Sequence, residues 1–479
     1  MRRPALASWP LLAALALLLQ ACAAPAPYQR PALELPARFK EGGLDWAQAR
    51  PGSSLPAGDW WTLFGDSELN RLEAEVAASN HDLKAAAARA AQARAAVQGA
   101  QAAGAPQLSA GIEGSRAHVS SNVVGRSLAG RTTNDFSTPL TLSWELDLWG
   151  RVASGVSAAT ADAQAGADDV GAVRLALQSQ AAMAYFQLRA LDAEKLLLDH
   201  AMSNDAADLA LTRQRQQAGI ASDLDLAQAQ AVLDTARTEL TDLDIARSAA
   251  EHALATLTGR PASGFSLAAA GGQTALPAPP AMPVALPSEL LQRRPDIAAA
   301  ERRVAAANAR IGVAQAAFYP SLTLGGSAGL ESARLAELAA LPSHFWALGP
   351  MLAGAIFDGG ARESRLHQAD AAYDVAAETF RQQTLQALQE VEDSLAALRL
   401  LADEDTSQGR AAAAAAQALA LTRDRYRVGT VSYLEVLVAE SADWAAQQRV
   451  LDIQRRRLQS SVQLMKALGG GWQAPVSSF

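Results

Sequence analysis

Between Leu148 and Arg151 the chain changes its hydrophobic period. In STPLTLSWELDL (137–148), Leu140, Leu142, Trp144, Leu146 and Leu148 fall on one side, and Thr141, Ser143, Glu145 and Asp147 on the other. That period of two belongs to a half-apolar strand. From Trp149-Gly150-Arg151 onward a helical period takes over and meets no breaker until Gly219. A helix of that length extends roughly 100 Å at ~1.5 Å rise per residue. Its spacing of Val170, Val173, Leu177, Ala181, Ala184, Leu188 and Leu191 is a heptad seam. The pattern predicts a strand that runs on directly into a long helix. The same event recurs where PMLAGAIFDGG (350–360) leads into a second helical run, 361–427.

The recurrence is a register, not a coincidence of composition. TRQRQQAG (212–219) aligns with TRDRYRVG (422–429) at an offset of 210, and Gly150 and Gly360 keep that offset. The chain therefore reads as a tandem duplication, each half being a helix, a pair of strands, a long helix and a closing helix. In the first half Trp60–Phe64 open a helix, a second spans 80–103 and is stopped by Gly104 and Pro106, strands fall at 107–115 and 137–148 around a polar loop, and the closing helix covers 222–258. A linker rich in Pro, Ala and Gly follows at 261–287. The second half predicts a helix at 288–316, strands at 321–330 and 345–357, and a closing helix at 431–468.

Composition excludes several classes. A net charge of −8, without any basic run interleaved with aromatics, argues against a nucleic-acid surface. Abundant alanine with only 5% aromatics suits long helices packed closely through small side chains. Residues 1–21 read as a secretory signal: Arg2 and Arg3, the apolar run Leu11–Leu19, then small residues. Leu19-Gln20-Ala21-Cys22 resembles a bacterial lipobox, and Cys22 is the one cysteine of the chain, so lipidation is expected there and no intrachain disulfide. Ala23, in place of Asp, resembles lipoproteins sorted to the outer membrane, and the proline-rich stretch 23–57 reads as an extended tether. No apolar span of 18 residues follows, so a membrane crossing must use strands. Four strands cannot close a barrel, for which about eight is the minimum; several chains must then share one.

With these features in hand, the chain resembles an outer membrane factor, the TolC-like exit duct of Gram-negative efflux pumps, in the lipoprotein (NodT-type) subgroup. The carriers are the lipobox cysteine, SWELDLWGR (143–151), LLQRRPDIAAAERRVAAANARIGVAQAAFYPSL (290–322), IFDGG (356–360), RYRVGTVSYLEVL (425–437) and KALGGGW (466–472). The resemblance implies a mixed α and β membrane protein: a homotrimer whose twelve-stranded transmembrane β-barrel, four strands per chain, continues into a periplasmic α-helical barrel. It implies a passive duct for drugs, solvents, metals or dyes, with an inner-membrane transporter of the resistance-nodulation-division type and a periplasmic adaptor as partners. The expected layout is 1–21 signal, 22–58 lipidated segment, 59–275 first repeat, 276–470 second repeat and 471–479 tail. Two rivals are an outer membrane duct of a type I protein secretion system and a structural periplasmic coiled-coil lipoprotein.

Candidate site residues follow from the resemblance and from the turns. Val428-Gly429-Thr430 matches the family motif for adaptor contact at a hairpin tip, and Gly219 is its counterpart in the first repeat, where Ala218 and Ile220 make the match partial. Both glycines also answer the need of a tight interhelical turn for positive φ. Asp223 and Asp225 stand one turn after Gly219, where a threefold ring of carboxylates would favour cations; helix capping by Ser222 and Asp223 is the competing reading. Leu434 keeps a constriction position of the family. Val438 stands where relatives often carry aspartate, leaving Glu435 and Glu440 as substitutes for an acidic lock. No catalytic or metal site is expected: the six histidines are isolated, and no phosphate loop or nucleophile motif occurs. Glu390, Glu392 and Asp393 read as a solvated helix face. The expected cofactor list is empty apart from the lipid on Cys22.

Overall fold

A computed structural model describes residues 28–36, 38–41, 58–122, 125, 127–269, 272, 274–280 and 293–473. The signal segment, Cys22 and most of the tether lie outside the described residues. Among these, the helices are α1 (Ser67–Ser79), α2 (His81–Ala102), α3 (Arg151–Gln217), α4 (Asp223–Leu257), α5 (Pro295–Ala316), α6 (Ala361–Arg427) and α7 (Tyr433–Ala467). The strands are β1 (Gln107–Ala110), β2 (Glu113–His118), β3 (Thr132–Leu146), β4 (Ser321–Ser332) and β5 (His344–Ala353). The chain divides into two compact units.

The first unit holds all five strands with helical segments 89–102, 151–167, 299–316 and 361–381. Its antiparallel sheet runs β1–β3–β4–β5, with β2 beside β1 on the same flank of β3. The expected 107–115 strand is thus two pieces. Opposite the gap lies Pro139, which has no N–H to donate; Gly111 N–H still reaches its carbonyl at 2.9 Å. Register sorts the side chains by face. Leu108, Leu142, Gly326 and Leu348 lie in one row across the sheet, and Ala110, Leu140, Ala328 and Trp346 in another on the same face. The other face carries Ser109, Thr141, Ser327 and Ala347. Trp346, Leu348 and Leu352 are exposed.

The junctions differ from the expected uninterrupted run. β3 ends at Leu146, and residues 147–150 form a corner before α3; in the second half 354–360 separate β5 from α6. Helix capping is the reason. Asp147 accepts from the Val152 and Ala153 N–H groups (3.0 and 2.7 Å), and Asp358 from those of Gly360 and Arg362 (3.1 and 3.2 Å). Each cap satisfies N–H groups that an unbroken run would leave unpaired. Trp144 Nε1 donates to the Gly104 carbonyl (2.9 Å), and Trp149 Nε1 to that of Pro320 (2.7 Å), while the Trp149 ring stacks on Tyr319. The tryptophans thus brace the chain just ahead of β1 and β4.

The second unit is helical and built on one large cluster that includes Trp60, Leu69, Leu72, Tyr185, Phe186, Leu188, Val391, Leu458 and Met465. The described parts of the tether and linker are not free here. Phe39 is buried in this cluster, and Glu392 accepts from the Lys40 and Glu41 N–H groups (2.7 and 2.9 Å). Phe265 and Leu267 of the linker join the same cluster, held by Arg247 and Glu251 against the Leu267 backbone. In the motif RRPDI, Pro295 opens α5, and the part of the expected helix at 288–292 lies outside the described residues. Arg294 is clamped by Asp296 through two bonds (3.0 and 2.6 Å), by Glu390 (2.6 Å) and by the Ala467 carbonyl. Burial alone would raise the Asp296 carboxyl, but the paired guanidinium holds it below the usual range. Gly469 is required beside this clamp, because a Cβ there would meet the Arg293 carbonyl oxygen at 2.0 Å. Glu390 and Asp393 are exposed, as a solvated face requires, although Glu390 also pairs with Arg294; the half-buried Glu392 is a structural partner instead.

Glu73 is fully buried, and neither carboxylate oxygen has a hydrogen-bond partner. Burial pushes its carboxyl up to about 9, so it is neutral at pH 7. An unfolded Glu ionises near pH 4.3. The contribution is fully present below that value and is lost as pH rises toward 9. Glu73→Gln removes the slope: its unfolding free energy, followed through the melting temperature, should gain on the parent's between pH 6 and 9 by at most about 1.4 kcal/mol per pH unit. Equal pH slopes in the two proteins would contradict this. Asp296→Ala leaves Arg294 short of its main counter-charge inside the protein and should cost about 3 kcal/mol, read as a fall in melting temperature.

Candidate functional site

Within the second unit, the α3–α4 and α6–α7 hairpins meet at their ends. Leu209, Ala229, Leu233, Leu419, Tyr426, Tyr433 and Val436 form one apolar cluster there. Both turns are built alike. The Gly219 N–H bonds to the Gln216 carbonyl and the Ile220 N–H to that of Arg215; the Gly429 and Thr430 N–H groups do the same with Tyr426 and Arg425. This is the Schellman arrangement, and it needs the left-handed conformation that Gly219 (φ 73°) and Gly429 (φ 83°) supply.

Beyond each turn a capping box starts the returning helix. Ser222 Oγ accepts from the Asp225 N–H (3.2 Å), and the Asp225 carboxylate accepts from the Ser222 N–H (2.9 Å). Ser432 and Glu435 repeat the box. The capping carboxylate is thus Asp225, at the third helical position, and not Asp223, which instead accepts from Gln216 Nε2 at 3.0 Å. The tips expose apolar side chains: Ile220, Leu224, Val428, Leu434 and Val438. Thr430 Oγ1 donates to the Arg425 carbonyl (3.0 Å), fixing the loop from within.

Two arginines join the hairpins, and sequence reasoning singled out neither. Arg215 donates to the Tyr426 and Arg427 carbonyls (2.9 and 2.7 Å) and covers the Tyr426 ring. The Tyr426 hydroxyl in turn meets Thr212 Oγ1 at 3.0 Å. Arg423 is turned inward among Asp205, Asp208 and Glu440. Glu440 therefore faces a buried cation, and Glu435 is taken up in a cap. The available signal was the shared TRxR of 212–215 and 422–425, but the shared pattern cannot say which of its two arginines turns inward in either segment.

The family model described as outer membrane efflux protein matches residues 72–260 and 286–470. The chain belongs to the outer membrane efflux protein family. It is 34% identical over 475 residues to the pyoverdine export outer membrane protein OpmQ of Pseudomonas putida, a match covering 96% of this chain and 97% of that one. To the cation efflux system protein CusC of Escherichia coli it is 32% identical over 460 residues, with 96% and 97% covered. A solved structure of CusC superposes with a TM-score of 0.81 at 30% identity, over 94% of this chain and 100% of that one. The function is that of the family: an efflux channel of the Gram-negative outer membrane that reaches into the periplasm. The family is one of ducts, not of enzymes.

In this efflux protein a Cβ on Gly429 would meet nothing within 4 Å, so any effect of substitution comes from backbone conformation alone. Gly429→Ala should cost about 1–2 kcal/mol and should speed amide exchange across 425–433 more than in the sheet. Unchanged protection of that segment would contradict the turn assignment.

Proposed function

We propose that three copies of this chain form one passive channel, each giving four strands to a twelve-stranded barrel. The observation that carries this is the sheet of the first unit. Its rows through β1, β3 and β4 are mainly apolar on one face and polar on the other, with less contrast along β5, and β5 and the β1/β2 flank have no second neighbour among the described strands. In lipid an open edge is untenable, because unpaired backbone groups find no water there. Pairing the edges of neighbouring copies removes the edges, turns the Leu108 and Leu348 face to lipid and leaves the Thr141 and Ser327 face to line the pore. The tandem-repeat reading is supported by the equal lengths of α3 and α6, 67 residues each, and of α4 and α7, 35 each.

In this reading the duct receives small molecules from an inner-membrane transporter of the resistance-nodulation-division type through a periplasmic adaptor. The adaptor meets the exposed hairpin tips at Val428, Gly429 and Thr430, and at Gly219. Asp223, Asp225 and Leu434 border the aperture, and a lipid on Cys22 anchors the mature chain. Native mass spectrometry of detergent-purified protein should count three chains, and the same preparation should give stepwise conductance in planar bilayers. A monomer that stays soluble without detergent would refute the proposal. Cys22→Ser should abolish incorporation of labelled palmitate.

A further inference from the structure

The Arg423 cluster is out of charge balance. Asp205 and Asp208 come from α3, Glu440 from α7 and Arg423 from α6, and their side chains are 5%, 12%, 14% and 16% exposed. Three carboxyls thus converge on one guanidinium. Arg423 donates to Glu440 through Nη2, while its Nε lies 3.2 Å from Asp208 Oδ2 and its Nη2 3.9 Å from Asp205 Oδ1. Neither Asp205 Oδ1 nor Asp208 Oδ2 accepts a hydrogen bond. Tyr433 also faces the three carboxyls, with the Tyr426 ring beside it, and Arg427 lies toward Asp208. Arg427 is exposed. Among the described residues, no second buried cation faces these carboxyls.

Fully ionised, the four side chains would bury a net charge of −2, with like charges on helices of different hairpins. Burying unpaired charge is costly, and carboxyls in such a site keep a proton instead. A proton between two of these carboxyls also gives the buried, unsatisfied Asp205 a hydrogen-bond partner. We propose that this cluster is a proton-binding latch, in which one proton held between Asp205 and Glu440 keeps the end of α3 docked on the α6–α7 hairpin. When the proton leaves for solvent, Asp205 and Asp208 repel Glu440 across the hairpin contact, and one arginine does not neutralise them. Burial, contact with Asp205 and the charge of Asp208 all push the Glu440 carboxyl up, while Arg423 opposes them. Burial, against Arg423, also raises Asp208. The release therefore belongs to the neutral-to-alkaline side of the carboxylate range. It lies in the arginine-bearing ends of the hairpins and does not depend on the number of chains in the channel.

The test uses full-length protein in detergent, with Glu73→Gln as background so that the Glu73 carboxyl, which burial also raises, is silent. Infrared difference spectra between neutral and alkaline pH should show loss of a protonated-carboxyl C=O band. That band should be absent when Glu440→Gln is added, and shifted in its titration by Asp205→Asn. In parallel, amide exchange of 202–215, corrected for its intrinsic pH dependence, should accelerate several-fold at alkaline pH in the parent. With Glu440→Gln, which mimics the protonated state, it should stay flat. A band that survives both substitutions, or equal pH dependence of exchange in parent and Glu440→Gln, overturns the latch. If Glu440→Gln does not fold, Asp205→Asn decides by the same two readouts.

Discussion

The pairing of β3 with β4 is the contact on which this molecule depends. Through it Phe136–Leu146 of one half of the chain meet Leu322–Ser332 of the other, pair by pair and antiparallel. A slip of one residue would turn every side chain to the opposite face. Leu142 would lose its place beside Gly326, and the separation of apolar and polar rows would vanish. The close approach is specified by small residues: a Cβ on Gly329 would meet the Thr138 carbonyl oxygen at 2.3 Å. Once that register is set, β5 and the β1/β2 flank have no further neighbour among the described strands, and it is on these edges that the proposal of a shared barrel rests.

In the helical unit a different interaction recurs, a guanidinium drawn in among carboxylates and backbone carbonyls. Arg294 ties α5 to Glu390 and to the Ala467 carbonyl. Arg215 ties α3 to the carbonyls that end α6, and Arg423 gathers acids from α3 and α7. Such groups add little net stability when swapped for well-packed apolar ones, yet they penalise any arrangement that leaves them unpaired. Long helices with alanine-rich faces have few large side chains to set their mutual register, so directional polar clamps do that job here.

The regular parts of the fold were legible because they depend on local pattern. The period change at 149–151, the return helices after Gly219 and Gly429, and the strands near 321–330 and 345–357 are all found close to where the sequence puts them. The departures come from interactions between residues far apart in sequence or from caps. Pro139 divided a strand by what it could not donate to its neighbour. Asp147 and Asp358 turned an expected straight run into corners. Glu392 looked solvated because its partners, the Lys40 and Glu41 N–H groups, are hundreds of residues away. At the hairpin ends the glycines were legible as turns, and Asp225 as one of two readings. The Arg423 cluster was not, since its members span positions 205 to 440.

By itself the sequence determined the alternation of element types, the recurrence of matching segments 210 residues apart, and the two glycine turns, because hydrophobic period and φ preference act within a few residues. Only the tertiary structure decided which strands neighbour each other, which arginine of each TRxR turns inward, and which carboxyls are buried together. Those outcomes depend on desolvation and hydrogen-bond geometry between distant segments, which no local pattern encodes. The strand-to-helix junction shows both. Its change of period is written in the residues from Leu148 to Arg151, and its capped corner exists only because Asp147 meets the N–H groups of the helix it precedes.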